Sequence, residues 1–316
     1  MVRFAVGIPD LISFLCVCAT TMYNPLIPTM QYYSLGIERY GIDNTSLVLA
    51  CNKENDTNVT CKEIGDAIAK DLSTLNVYVH SVKAICAPIF VILLGGYSDA
   101  VSKKLGIITI LSINVTWCII LLFNTIFPTH YPSWIYVLAN GVILSLAGGS
   151  ALTVTSFLIG YLSITTPQSK QPGRFGLLMG CGLLGVFCGP GLFGIIAKLT
   201  SQIWIVGVVA TGLMISGLLA AIFGLKPLET TSEPESNETD FFEKFVNAMK
   251  FLYDNTIDLF KNNPTLGKFI RALLMHMFSS VGFSAQVAVV SSVYAVAAPF
   301  KWGSRERSFF IAGSSR

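Results

Sequence analysis

Lys83 lies near the middle of an apolar run, Leu75 to Leu94. A charged group at that depth in a lipid bilayer costs about 3 kcal/mol or more, so by default it marks a site. Asn76, His80 and Lys83 follow one another at steps of four and three, which puts them on one helical face. A cation in that position can contact an anionic group of a solute. The alternative is that it snorkels to the interface or pairs structurally. Two further runs carry polar faces: Asn24 and Gln31 with Pro28 between them, and Asn140 with Ser150 and Thr153. Polar faces on three helices are what a central water-filled cavity would present. In a later run, His276 can titrate near neutral pH and report protons, or it can be a satisfied packing histidine. Arg271, near the end of that run, is expected to snorkel.

These residues have to be positioned by membrane-spanning helices. The 316 residues are 53% hydrophobic and only 12% charged, about half the charge of a soluble domain. Lipid must therefore cover much of the surface. Seven runs are long and apolar enough to cross a bilayer: Ile8–Met30, Leu75–Leu94, Leu105–Phe127, Trp134–Tyr161, Phe175–Ala197, Ile203–Leu225 and Phe269–Ala298. The length of the fourth and seventh implies tilt, or ends outside the hydrocarbon. A net charge of +3 gives no argument for nucleic acid. The three histidines fall in no metal-binding pattern, and no nucleophile elbow, Walker loop or dinucleotide fingerprint occurs, so neither an enzyme nor a cofactor or metal is expected.

Two signals set the orientation. The polar stretch from Gln31 to Thr74 holds three glycosylation sequons, at Asn44, Asn55 and Asn58, and this modification is lumenal. The same stretch holds Cys51 and Cys61, candidates for a disulfide on the oxidising side. Cys16, Cys18, Cys86, Cys118, Cys181 and Cys188 lie in apolar runs and read as packing residues. The opposite loops carry Lys103 and Lys104, Lys170 and Arg174, then Lys226, Lys244, Lys250, Lys261 and Lys268, the positive-inside pattern. The N-terminus is thus expected in the cytosol, with the sequon at Asn237 unmodified and the first run too long for a signal peptide. A seven-helix receptor, with its N-terminus outside, does not fit. Residues 1–225 read as a six-helix bundle. Residues 226–268 read as a cytosolic loop, with Phe242, Phe245, Met249, Leu252 and Leu259 as the apolar stripe of a helix on the inner leaflet or docked on the bundle. Residues 269–316 read as a seventh helix and the start of an eighth.

The second run ends in Gly95-Gly96-Tyr97-Ser98-Asp99-Ala100-Val101-Ser102-Lys103-Lys104. Small residues let two helices approach at a short cytosolic turn. Asp99 can accept from amides at a helix start and pair with a nearby cation, forming a latch that favours one of two conformations. This segment resembles the signature of the major facilitator superfamily, and more narrowly that of the proton-coupled folate transporter and heme carrier family. Gly95, Ser98, Asp99, Lys103 and Lys104 match by type, and Ser102 stands at a family glycine. Looser likeness covers nearly the whole chain: Pro25-Leu26 with Gln31-Tyr32, Leu75-Asn76-Val77-Tyr78 before Pro88, and Pro299-Phe300-Lys301-Trp302. Folate-transporting members carry acidic residues where this chain has Ser145 and Met179. Gly176, Gly185, Gly189-Pro190 and Gly194 resemble a signature of facilitator antiporters, or serve plain close packing.

The resemblance implies an all-α membrane protein made of two six-helix halves, of which this chain holds the first and the start of the second. It implies secondary active, alternating-access transport of a small organic solute, folate-like or another organic anion, with proton coupling, symport and antiport all open. The membrane is the plasma membrane or an endosomal or lysosomal one. A truncated product acting as a partner or dominant-negative subunit is the other reading, since Phe309 to Gly313 looks like an eighth helix just beginning.

Overall fold

The computed structural model describes residues 6–40, 59–127, 132–149, 151–200, 203–227 and 250. Among the described residues every regular element is helical. They are α1 (Ile8–Tyr40), α2 (Val59–Ala100), α3 (Lys103–Ile126), α4 (Trp134–Leu146), α5 (Ala151–Thr165), α6 (Gln171–Thr200) and α7 (Ile203–Gly224). Five of these are long and apolar enough to span a membrane, and the shorter α4 and α5 follow one another across the fourth expected span. The first six expected spans are thus present as helices. The expected seventh and eighth lie outside the described residues, as does the amphipathic stripe before them.

The helices α1 and α2 outrun the apolar sequence that marks them. The first extends to Tyr40 rather than Met30, and the second begins at Val59 rather than Leu75. With 42 residues α2 is about 63 Å long, roughly twice the hydrocarbon thickness. Much of the stretch expected as polar loop is therefore helix. The reason is that hydropathy marks only the part that needs lipid, while a polar segment can stay helical in water. The two projections are tied by Arg39 to Asp71 at 2.8 Å. The Ser133 amide, just before α4, donates to Glu38 Oε2 at 2.7 Å.

α1 sits at the centre, packed mainly on α6 and α7 and touching α2 and α5. Its residues Ile12, Cys16, Ala19, Met22, Tyr23 and Leu26 recur at helical spacing and form the core of the bundle. Backbone meets backbone where α1 crosses α6. A Cβ on Gly185 would stand 2.9 Å from the Phe14 carbonyl oxygen, and one on Gly189 would stand 2.6 Å from that of Cys18. Gly182 lies along the same line, its missing side chain 3.2 Å from Ser13 Oγ. Gly176 has open space beside it and takes no part. Gly185 and Gly189 of the sequence pattern are therefore packing residues, and Gly182 joins them.

The fourth span is broken. Residues Val137–Ile143 form a π-helical stretch, and α4 then stops. The Gly149 amide bonds the Leu144 carbonyl at 2.7 Å and the Gly148 amide bonds that of Ser145 at 2.8 Å. That pair of bonds is the Schellman helix stop, which needs a left-handed residue after the last helical turn. Gly148 and Gly149 supply it at φ of 80° and 74°, where a side chain would be strained. The chain turns helical again at Ala151.

Candidate functional site

The turn between α2 and α3 that carries Ser98, Lys103 and Lys104 is at the end of the bundle where α1 begins. Ser98 is buried, and its Cβ would stand 2.5 Å from a Cβ on Gly106. Gly106 is thus the glycine that lets α2 and α3 close, whereas Gly95 has open space. Ser102 precedes α3 at φ −169° and ψ 131°, extended backbone that any residue adopts, so glycine is not required there. Lys104 Nζ donates to the Ile222 carbonyl at 2.7 Å. A cation on the last carbonyls of α7 meets the negative end of its dipole. Lys103 Nζ approaches α5 beside Gly160, 3.9 Å from where a Cβ would be. The side chain of Asp99 lies outside the described residues.

Near the same end sits an ion pair that the sequence reading did not single out. Asp10 is fully buried in the first turn of α1, and Arg174 of α6 approaches its Oδ2 at 3.0 Å. The Gly7 amide donates to the same oxygen at 2.7 Å, while Oδ1 has no partner. Ser13 and Thr155 are bonded at 3.1 Å one turn further along. The signal available in the sequence was an aspartate two residues inside an apolar run. Arg174 was legible only as part of the positive-inside pattern.

Deeper in the bundle, polar groups of α1 hold helices together. The Tyr23 hydroxyl lies 3.1 Å from the Cys118 carbonyl, 3.2 Å from that of Gly207 and 2.9 Å from Thr211 Oγ1. Its ring meets Trp117 edge to face, with centroids 5.2 Å apart, a favourable arrangement. Thr21 donates to the Gly185 carbonyl at 3.1 Å. Asn140 is buried in the π-helical stretch and accepts from Trp117 Nε1 at 2.9 Å. The Tyr136 hydroxyl donates to Asn124 Oδ1 at 2.9 Å. Gln31 is fully buried with neither amide atom partnered, while Asn24 is exposed. The pair therefore does not share one environment, although the spacing gives them one face.

α2 behaves otherwise. Asn76 is buried, and His80 and Lys83 are half-buried on the face expected from their spacing. No ion pair involves Lys83 among the described residues. Its stem packs on the helix break: Cε and Cγ lie 3.0 and 3.4 Å from where a Gly149 Cβ would be. Pro88, one turn on, has no amide hydrogen, so the Ala84 carbonyl loses its helical donor. Thr153 donates to the Gly148 carbonyl at 3.0 Å across the break. No group of three or more potential metal ligands occurs among the described residues. His276, Cys51 and the sequon residues Asn44, Asn55 and Asn58 lie outside them. Cys61 falls in the first turn of α2, its side chain not described.

The family model described as Major Facilitator Superfamily matches residues 10–314. No curated protein matches the chain.

Proposed function

The chain belongs to the Major Facilitator Superfamily, and from that premise we propose that it is a secondary active transporter of a small organic solute, working by alternating access with its N-terminus in the cytosol. The observation that carries this reading is how the polar groups are divided. Those of α1 are largely spent inside the bundle, on Gly185, Arg174, Thr155 and Thr211. Those at the middle of α2, above all Lys83, have no protein counter-charge among the described residues. A cation kept without a counter-ion at that depth is costly for structure and useful for a pathway.

The mechanism follows from the packing. The packing of α1 on α6 and α7, and of α3 on α7, joins these helices into one unit that rocks as a body. The turn carrying Ser98, Asp99, Lys103 and Lys104 acts as the latch at the cytosolic end, and its contacts differ between the two states. The basic loops and the three sequons support that orientation.

The test is the labelling of a cysteine at Ala84, an exposed residue beside Lys83, in the full-length protein with Cys16, Cys18, Cys86, Cys118, Cys181 and Cys188 changed to Ala and the same background without Ala84→Cys as the control. In proteoliposomes of known orientation, a membrane-impermeant maleimide should reach Ala84→Cys from either side. Locking the protein from one side should abolish labelling from the other. Reaction from one side only, or from neither, contradicts alternating access. Enzymatic deglycosylation of the native protein checks the orientation: loss of mass should disappear when Asn44, Asn55 and Asn58 are all changed to Gln.

A further inference from the structure

α5 and α7 end where α3 begins, and side chains cross between all three. Lys104 Nζ donates to the Ile222 carbonyl of α7 at 2.7 Å. Lys103 Nζ lies 3.9 Å from where a Cβ on Gly160 of α5 would stand. The Tyr161 hydroxyl, next along α5, accepts from the Lys226 amide at 3.0 Å. Lys103, Lys104 and Lys226 are thus drawn to one corner of the bundle. Lys226 is exposed, and neither it nor Lys104 enters an ion pair among the described residues. An ammonium has three N–H donors, and the bond to Ile222 uses one of those on Lys104. Lys103 has a further contact of its own, so the uncompensated charge of the corner is that of Lys104 and Lys226. Apolar side chains stand open on the same three segments: Leu105, Ile164 and Phe223, the last 83% exposed.

We infer that this corner binds the headgroup of an anionic phospholipid, with Lys104 and Lys226 meeting its acidic groups and Leu105 and Phe223 meeting its acyl chains. The level of the corner decides the occupant. α3 and α7 have 24 and 22 residues, about 36 and 33 Å of helix, which is close to the hydrocarbon thickness. Side chains at their ends therefore stand among lipid headgroups, neither in the hydrocarbon nor in bulk water. Lysine stems lie along apolar surface and lift their ammonium groups to that layer. Charge then selects the lipid. A zwitterionic headgroup brings its own ammonium, which the lysines repel, whereas an acidic headgroup brings net negative charge that balances theirs. A soluble acidic partner would leave Leu105, Ile164 and Phe223 uncovered, and acyl chains cover them. The assignment of this corner to the inner leaflet rests on the proposed orientation; the binding itself does not depend on transport.

The test uses dioleoylphosphatidylserine and dioleoylphosphatidylcholine with the purified full-length protein. In native mass spectrometry at equal lipid concentrations, the serine lipid should occupy the wild type several-fold more than the choline lipid. Lys104→Gln combined with Lys226→Gln should lose that preference. Glutamine can still donate to the Ile222 carbonyl, so the double variant removes charge rather than the contact between α3 and α7. Lys198→Gln, which changes an exposed lysine at the far end of α6, should keep the preference. A second readout needs no substitution. In lipid nanodiscs, acetic anhydride should modify Lys104 and Lys226 several-fold more slowly, relative to Lys198, with the serine lipid than with the choline lipid. Inorganic phosphate at the lipid's concentration should displace nothing. Equal occupancy by the two lipids, a preference that survives the double variant or is lost equally in Lys198→Gln, an unchanged acetylation ratio, or displacement by phosphate overturns the assignment. Two-sided labelling of Ala84→Cys tests transport separately, so a failure here leaves the transporter reading standing.

Discussion

The first two helices are neighbours of similar make-up put to opposite uses. Both are long, apolar and interrupted by proline, at Pro25 and Pro28 in α1 and at Pro88 in α2. Yet 67% of the apolar window of α1 is buried in the bundle, against 6% for α2. Polar residues on α1 meet protein: Thr21 meets α6, Tyr23 meets α3 and α7, and Asp10 meets Arg174. The polar residues at the centre of α2 find a helix break instead. The lesson is that a polar side chain in a membrane helix is read by its surroundings, not by its depth alone: on the central helix it is a fastener, and on the marginal one we propose that it serves the solute.

This contrast can be broken by substitutions, the largest effect coming from the backbone crossing. Gly185→Leu must push α6 off α1, since even a Cβ there stands 2.9 Å from a carbonyl oxygen. Overpacking typically costs about 1–3 kcal/mol and more where backbone has to move, so this variant should fail to yield monodisperse protein in size-exclusion chromatography. Next comes Arg174→Met, which strands a fully buried carboxylate. Breaking a buried pair costs about 3–5 kcal/mol, and chemical denaturation should report a loss of that order. The double variant Asp10→Asn with Arg174→Met should regain much of it. Tyr23→Phe removes one hydroxyl among Thr211 and two carbonyls and should cost about 1 kcal/mol while leaving two-sided labelling of Ala84→Cys intact. The smallest effect on stability is expected for Lys83→Met, within about 1 kcal/mol or slightly stabilising, because no ion pair among the described residues is lost and a partly desolvated charge is removed.

The sequence revealed as much as hydropathy and charge can encode. The six described spans, the Lys103–Lys104 turn and the helical face of Asn76, His80 and Lys83 all follow from the apolar runs, the basic turn and the spacing. The helical projections to Tyr40 and from Val59 were hidden because their residues are polar, and a window that detects lipid contact is blind to helix in water. The break in the fourth span was written as Gly148-Gly149-Ser150, but glycine pairs also serve close packing, as Gly185 and Gly189 do. Only the backbone, with two positive φ values in succession, separates these uses. The pair of Asp10 and Arg174 spans 164 residues of sequence, and no local pattern links them. Lys104 was legible as a positive-inside charge, yet its bond to the end of α7 depends on a packing that spacing does not convey.

One measurement tests the division between fastening and serving most directly: unfolding of Arg174→Met and Lys83→Met side by side with the wild type, in the same detergent and without added solute. The account predicts a large loss for Arg174→Met and none for Lys83→Met. Equal losses in the two variants would mean that Lys83, like Arg174, holds the bundle together, and would contradict its assignment to the solute.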